Sequence, residues 1–146
     1  MSEWSMEGQM QAANEFSTAC MQWMRSAGVE EMSIEIESVG TRATAHSRAL
    51  RPSGVMRRPR WEENTVPREV VSLGVQLRVA MAQPGGGAWT KGTFSMKKDD
   101  YRLISDFDYD HEPDLDPPYT AQDVAQELQA FPCTPEATPD WMRINS

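Results

Sequence analysis

Residues 88–109 read AWTKGTFSMKKDDYRLISDFDY, and this stretch predicts a β-hairpin. Successive side chains of an extended strand point to opposite faces, and apolar residues recur here at alternate positions. We expect a first strand from Ala88 to Met96, a turn over Lys97–Asp100 and a return strand from Tyr101 to Tyr109. Each strand has two distinct sides.

The two predicted sides differ in character. On the first strand, Trp89 is expected on one side, with Phe94 and Met96 on the other. On the return strand, one apolar face is expected to carry Tyr101, Leu103, Phe107 and Tyr109.

Acidic residues occupy every second position from the return strand onward. We call this series the acidic ladder, and its members are Asp106, Asp108, Asp110, Glu112, Asp114 and Asp116. At least Asp106, Asp108 and Asp110 are expected to share one face of the strand. Like charges on one face destabilise it, so a cation, a basic partner protein or an arginine cluster of the same chain should lie opposite.

The remaining sequence predicts three helices and a second strand pair. Periodicity and stop signals give a helix at 9–27, strands at 32–36 and 41–47, a helix that begins at Thr65–Pro67 and ends before Pro84, and a helix at 120–130. Apolar and polar residues alternate in the first of these strands, Thr65 is the expected cap of the second helix, and Thr120 with Asp123 forms a capping-box variant. Residues 49–64 carry several arginines and predict an exposed loop or an irregular edge strand. Trp141 is expected to pin down a proline-rich tail. This order is typical of an α+β domain with an antiparallel sheet of about four strands packed by helices.

Composition and charge restrict the function. The 146 residues suit one domain, and no stretch resembles a membrane span or a secretory signal, so a cytoplasmic protein is expected. The formal net charge is −8; residues 101–146 hold ten acids and two bases, whereas residues 1–100 hold twelve of each. A negative field of this kind argues against nucleic acid or an anionic membrane as ligand and favours a basic protein or a cation.

Catalytic signatures are scarce. Cys20 lies on the apolar stripe of the first predicted helix, where a buried, inert thiol is expected. Cys133 stands beside prolines without a histidine nearby, and no phosphate-binding or dinucleotide-binding motif occurs. The sequence therefore predicts neither a catalytic nucleophile nor a cofactor.

Three interpretations of the acidic ladder remain open. It can be a solvated strand face that continues into an acidic loop, or a docking surface for a basic protein. It can also be a metal site, because Asp106, Asp108 and Asp110 match the first three ligands of an EF-hand loop. However, that loop needs glycine and glutamate where this chain has His111 and Pro117. The arginine cluster within residues 57–61 could also contact the ladder.

The last third of the chain resembles the YezG-like immunity family, whose members neutralise bacterial polymorphic toxins. The resemblance rests on an ordered series of segments: WTKGTFSM at 89–96, SDFDYDHEP at 105–113, DPP at 116–118, TAQD at 120–123, Glu127-Leu128, Phe131-Pro132 and PDWM at 139–142. The first half agrees only in the layout of its elements. Cys133 departs from the family pattern, in which a basic residue often follows Phe-Pro.

This resemblance implies a non-enzymatic inhibitor that binds a toxin domain, often a nuclease with a basic cleft, in the producing cell's cytoplasm. The acidic ladder would then substitute for the nucleic-acid backbone, with Tyr109, Tyr119 and Trp141 as candidate anchors. Alternatively, the shared segment holds the fold, with Phe107 and Tyr109 in the core and the aspartates bound to backbone amides or to the Arg51–Arg60 region. Two further classes are a metal-dependent hydrolase using Asp106, Asp108 and Asp110, and a scaffold domain without a toxin partner.

Overall fold

The computed structural model describes residues 4–53 and 58–145 and shows an α+β fold. In chain order the elements are α1 (Met6–Ala27), β1 (Glu31–Val39), β2 (Arg42–Ser53), β3 (Arg58–Glu63), α2 (Arg68–Met81), β4 (Lys91–Lys97), β5 (Ile104–Asp108), α3 (Ala121–Ala130) and α4 (Asp140–Asn145). The strands form one antiparallel sheet in the order β3-β2-β1-β4-β5. The predicted fold class is confirmed, with five strands instead of about four.

Helix α1 begins three residues earlier than predicted and ends at the predicted position. Ser5 caps its start by accepting a backbone N–H of the first turn, and Gly28 ends it with a φ of 69°. Phe16, Cys20 and Met24, spaced four residues apart, are fully buried. The predicted apolar stripe therefore faces the core.

Helix α2 begins after Pro67, so the predicted cap at Thr65 is wrong. Pro67 occupies the cap position and makes no side-chain hydrogen bond there. Gly74 faces β1 so closely that an added Cβ would stand 2.7 Å from Cδ1 of Ile36. This contact brings the helix backbone against the sheet.

One face of the sheet is buried beneath α1 and α2. The side chains of β1 and β4 that fill this face are Met32, Ile34, Ile36, Phe94 and Met96. The alternate residues of β1, from Glu31 to Glu37, point to the other face and are only half-buried. The predicted period-two pattern of β1 is thus confirmed.

Trp89 lies on the same side as Phe94, which corrects the prediction that the two would be on opposite sides. The strand begins only at Lys91, and Thr90 forms a bend, so alternation does not extend back to the tryptophan. Its ring is 6.0 Å from that of Phe94 and lies across Gly92, where an added Cβ would approach it within 2.8 Å.

The arginine-rich stretch at 49–64 is mostly regular strand, so the loop alternative is wrong and the edge-strand alternative is confirmed. Strand β2 pairs along its end with β3, from Arg48 opposite Glu63 to Ser53 opposite Arg58. Arg57 lies outside the described residues. Arg58 and Arg60 therefore lie on the edge strand β3, whereas Arg51 lies on β2.

The return strand is shorter than predicted. Strand β5 starts at Ile104, paired with Ser95, so Tyr101 and Leu103 precede it, although both pack partly against the core. Phe107 also packs there, as predicted. Tyr109 follows the strand and is 39% exposed, so the alternative that places it in the core is wrong.

The C-terminal part forms a second, smaller core. Thr120 and Asp123 make the predicted capping box at the start of α3. Val39 at the end of β1 is packed with Leu115, Val124, Trp141 and Met142. The tail includes the short helix α4, which the sequence did not predict, and buried Trp141 pins it as expected.

Candidate protein-interaction surface

Asp108 ends the extended part of the acidic ladder. Its carboxylate oxygen Oδ1 accepts the backbone N–H groups of Asp110 and His111, at 2.8 and 3.0 Å. This is a local turn of the kind that aspartate favours. Asp106 and Asp108 therefore belong to β5, whereas Asp110 lies in the following loop, and the expectation that all three share one strand face is wrong.

Glu37 of β1 holds the middle of the acidic ladder against the sheet. Its Oε1 is 2.5 Å from Nε2 of His111 and accepts the backbone N–H of Asp114 at 3.1 Å. Thr90 adds a hydrogen bond from its hydroxyl to the carbonyl oxygen of His111 at 2.6 Å. The loop is thus fastened at several points, and its carboxylates are presented from a fixed backbone.

Alternation continues in the loop although no strand is present. Pro113 and Leu115 are buried, whereas Asp114 and Asp116 between them are exposed. The loop lays one side on the smaller core, so every second side chain is forced outward. The regular acidic spacing therefore has a structural cause beyond β5.

Tyr119 and Trp141 hydrogen-bond to two residues of the acidic ladder, Glu112 and Asp110. The Tyr119 hydroxyl donates to Oε2 of Glu112 at 2.5 Å, and the two aromatic rings pack edge to face at 5.2 Å. Burial and the Glu112 hydrogen bond raise the pKa of Tyr119 to about 12. Trp141 is 8% exposed and donates from Nε1 to the carbonyl oxygen of Asp110 at 2.9 Å. In this conformation Trp141 offers a partner little surface.

The end of the acidic ladder is held by Arg42 of β2. Its guanidinium donates to the carbonyl oxygens of Pro117 and Pro118 and to Oδ2 of Asp123, the last at 3.2 Å. The hydrogen bond from the backbone N–H of Thr120 is the main cause that lowers the pKa of Asp123, and Arg42 adds to it. Sequence reasoning missed Arg42, because no local pattern links it to residues 75 or more positions away.

A buried ion pair joins α3 to α2. Arg78 Nη2 lies 2.6 Å from both carboxylate oxygens of Glu127, and each side chain is at most 3% exposed. Arg78 also donates to the carbonyl oxygens of Trp89 and Ser38, and Glu127 accepts the N–H of Gly40. One feature of the sequence indicated that Arg78 is buried: it stands eight residues after Val70, on the apolar stripe of its helix.

Some acidic residues form ion pairs with basic side chains and others form none. Ion pairs join Glu30, Glu35, Glu62, Glu63, Asp123, Glu127 and Asp140 to lysine or arginine side chains. Within the ranges that the structure describes, none of the six ladder carboxylates forms an ion pair. All six are exposed residues. Lys91 lies opposite Asp108 in the strand register, but its ion pair is with Glu35. The ladder thus presents carboxylates that form no ion pair within the described part of the chain.

The arginine-rich strand pair does not supply the missing positive charge. Arg51 pairs with Glu62 at 2.6 Å, and Arg48 lies 3.3 Å from Glu63 while its guanidinium covers the Trp61 ring. Across residues 4–53 and 58–145, no ion pair links these strands to the ladder. One part of the fold-holding alternative is seen, since Asp108 does bind backbone amides.

Metal binding and thiol chemistry concern the histidine, cysteine and carboxylate side chains. Among the described residues, no three histidine, cysteine, aspartate or glutamate side chains are grouped as metal ligands. Burial raises the pKa of the Cys20 thiol to about 12, which agrees with the inert role predicted for it. Burial also raises the pKa of Cys133.

Comparisons with known proteins leave the family question open. No model of a known protein family matches the chain, and no curated protein sequence matches it significantly. In the part of the chain that the structure describes, none of the helices has the length and apolar character needed to cross a membrane.

Proposed function

We propose that this chain is an immunity protein that binds and neutralises a toxin domain of the nuclease class inside the producing cell. The single observation that carries the proposal is the exposed acidic ladder, whose carboxylates form no ion pair among the described residues. The order of motifs that resembles the YezG-like immunity family supports the same role. The proposed action is occlusion of the toxin and involves no catalysis by this chain.

The chemistry of the ladder favours a basic partner. A nuclease cleft is positively charged because it receives phosphates, and a fixed row of carboxylates complements that charge. Complementary fields speed association and disfavour wrong partners. The loop backbone is fastened by Glu37 and Arg42, so little conformational entropy is lost when a partner binds.

Affinity also requires an apolar anchor. Tyr109 is 39% exposed and stands between the strand and loop parts of the ladder. Tyrosine is enriched among residues that dominate binding energy, because its ring buries area and its hydroxyl still bonds. Tyr109 is therefore the preferred anchor and the half-buried Tyr119 a second candidate, while Trp141 serves mainly to hold the tail.

The proposal is tested by capture from the native strain followed by measured affinity. The tagged chain is expected to retain a basic toxin domain, which is then purified and titrated by calorimetry at two salt concentrations. Changing Asp106, Asp110 and Asp114 together to asparagine should weaken binding by about tenfold or more and flatten its salt dependence. Asp108 is left intact because it holds the turn.

A matched control removes equal charge elsewhere. Glu7, Glu69 and Glu136 are exposed on α1, on α2 and in the tail, and their change to glutamine should alter affinity less than threefold. Equal losses in both triple variants would show only a net-charge effect. Unchanged affinity in the folded ladder variant would remove the ladder from the interface, and failure to retain any toxin would remove the immunity role.

A further inference from the structure

Strand β5 leaves one edge of the sheet open. It pairs with β4 on one side and is the last strand in the sheet order. An edge strand presents unpaired backbone donors and acceptors that a strand from another chain can use. Beside this edge, Ile104 is 61% exposed and Phe107 is only half-buried.

The direction of the free backbone groups follows from the bonds on the paired side. The carbonyl oxygen of Asp108 accepts the N–H of Thr90 at 2.9 Å, and that of Asp106 faces the Thr93 hydroxyl at 3.5 Å. In a strand, the N–H and C=O of one residue point to the same edge, and neighbouring residues alternate. Ser105 and Phe107 therefore turn their N–H and C=O groups toward the open edge.

The charges on β5 select what can pair with this edge. Asp106 and Asp108 share one face, and an added strand would place its own side chains opposite them at every second position. A second copy of this strand, paired antiparallel about its centre, would set Asp106 against Asp106. Like charges opposite one another are destabilising, so the edge disfavours self-association and favours lysine or arginine at alternate positions.

The other edge of the sheet is built differently. Strand β3 contains Pro59, which has no N–H to donate, and it carries Arg58 and Arg60. Proline and cationic side chains are common means of blocking an edge. Strand β5 has neither, and it continues directly into the loop part of the acidic ladder.

We infer that the open edge of β5 is a strand-addition site for a basic partner, which donates a strand with lysine or arginine at alternate positions. This mode rests on the proposed function in that the partner would be the toxin domain. Main-chain hydrogen bonds to Ser105 and Phe107 supply affinity, and Asp106 and Asp108 supply selectivity. Phe107 gains cover from the added strand.

The probe is a capped eight-residue peptide that alternates lysine and threonine, titrated into the isotope-labelled chain and followed by NMR. Amide exchange at Ser105 and Phe107 is expected to slow at least tenfold at saturation. A peptide that alternates aspartate and threonine should have no such effect. Ser105→Pro removes an N–H that faces outward and should weaken binding at least tenfold, whereas the matched Ser105→Ala should change it less than twofold.

The outcomes separate this inference from the proposed function. Absence of protection at both amides at millimolar peptide overturns the strand-addition site, and this measurement on the unmodified chain holds even where Ser105→Pro fails to fold. Toxin binding that survives Ser105→Pro but weakens on ladder neutralisation also overturns it while leaving the immunity role intact. Protection by the basic peptide without any toxin binding supports the edge and removes the immunity role.

Discussion

Helix α3 and the acidic ladder both belong to the acidic last third of the chain, yet their carboxylates differ in burial and in ion pairing. Asp123 and Glu127 of α3 are buried and bound to Arg42 and Arg78, which come from the charge-balanced first part. The ladder residues are exposed and their carboxylates form no ion pair in residues 4–53 or 58–145. A net-charge count of residues 101–146 therefore overstates the outward negative charge of α3, whereas the charge of the ladder faces solvent.

The largest expected effect comes from breaking the buried pair. Glu127→Ala leaves the Arg78 guanidinium buried without its carboxylate, and we expect a loss of about 3–5 kcal/mol in the free energy of unfolding. Urea denaturation measures it. The double change Arg78→Met with Glu127→Leu should cost clearly less, because no uncompensated charge remains. A double variant as unstable as the single one would assign the loss to packing and to the hydrogen bonds with the backbone of Trp89, Ser38 and Gly40, instead of to the unpaired charge.

Truncation of Phe107 tests how far the ladder strand supports the core. The ring lies 5.5 Å from that of Trp89 and 5.7 Å from that of Phe94, but it is only half-buried. Phe107→Ala should therefore cost about 2 kcal/mol, below the 3–5 kcal/mol typical of a fully buried phenylalanine. Tyr109→Ala, at the exposed position two residues later, is the control and should cost less. Equal losses would contradict the placement of these two rings.

The contribution of Asp123 to the stability of the fold depends on pH. Its pKa is lowered in the folded state, so its contribution to stability is present at neutral pH and is lost as the pH falls through the folded pKa. Asp123→Asn should be less stable than the unmodified chain by about 1 kcal/mol at pH 7, with the gap closing below about pH 4. Thermal unfolding across pH measures this. Asp140→Asn, at an exposed first-turn aspartate of α4, should show a much smaller gap.

The smallest expected effect on stability belongs to the ladder itself. The carboxylate oxygens of Asp106, Asp110 and Asp114 accept no hydrogen bond from the described residues. Changing all three to asparagine should therefore shift the free energy of unfolding by no more than about 0.5 kcal/mol. The same variant is expected to lose toxin affinity. A large loss of stability on urea denaturation would make the ladder a structural feature, and the contrast with α3 would disappear.

The sequence predicted features that depend on local pattern. The α1 stripe, the alternation of β1 and the Thr120–Asp123 capping box all follow from periodicity or short-range hydrogen bonds. The failures at Trp89 and Asp110 occurred where a bend or a turn interrupts the strand that the alternation predicted. Trp89 crosses Gly92 because a bend precedes the strand, and Asp110 leaves the strand because Asp108 closes a turn.

The sequence by itself determined the α+β class, the hairpin that carries the acidic residues, and their regular spacing. Only the tertiary structure decided which carboxylates remain unmatched, because Arg42 and Arg78 reach α3 from far along the chain. It also decided that alternate side chains remain exposed beyond β5, since the loop buries Pro113 and packs Leu115 into a core formed by distant segments. Periodicity is a property of neighbouring residues, whereas neutralisation and burial depend on residues that only folding brings together.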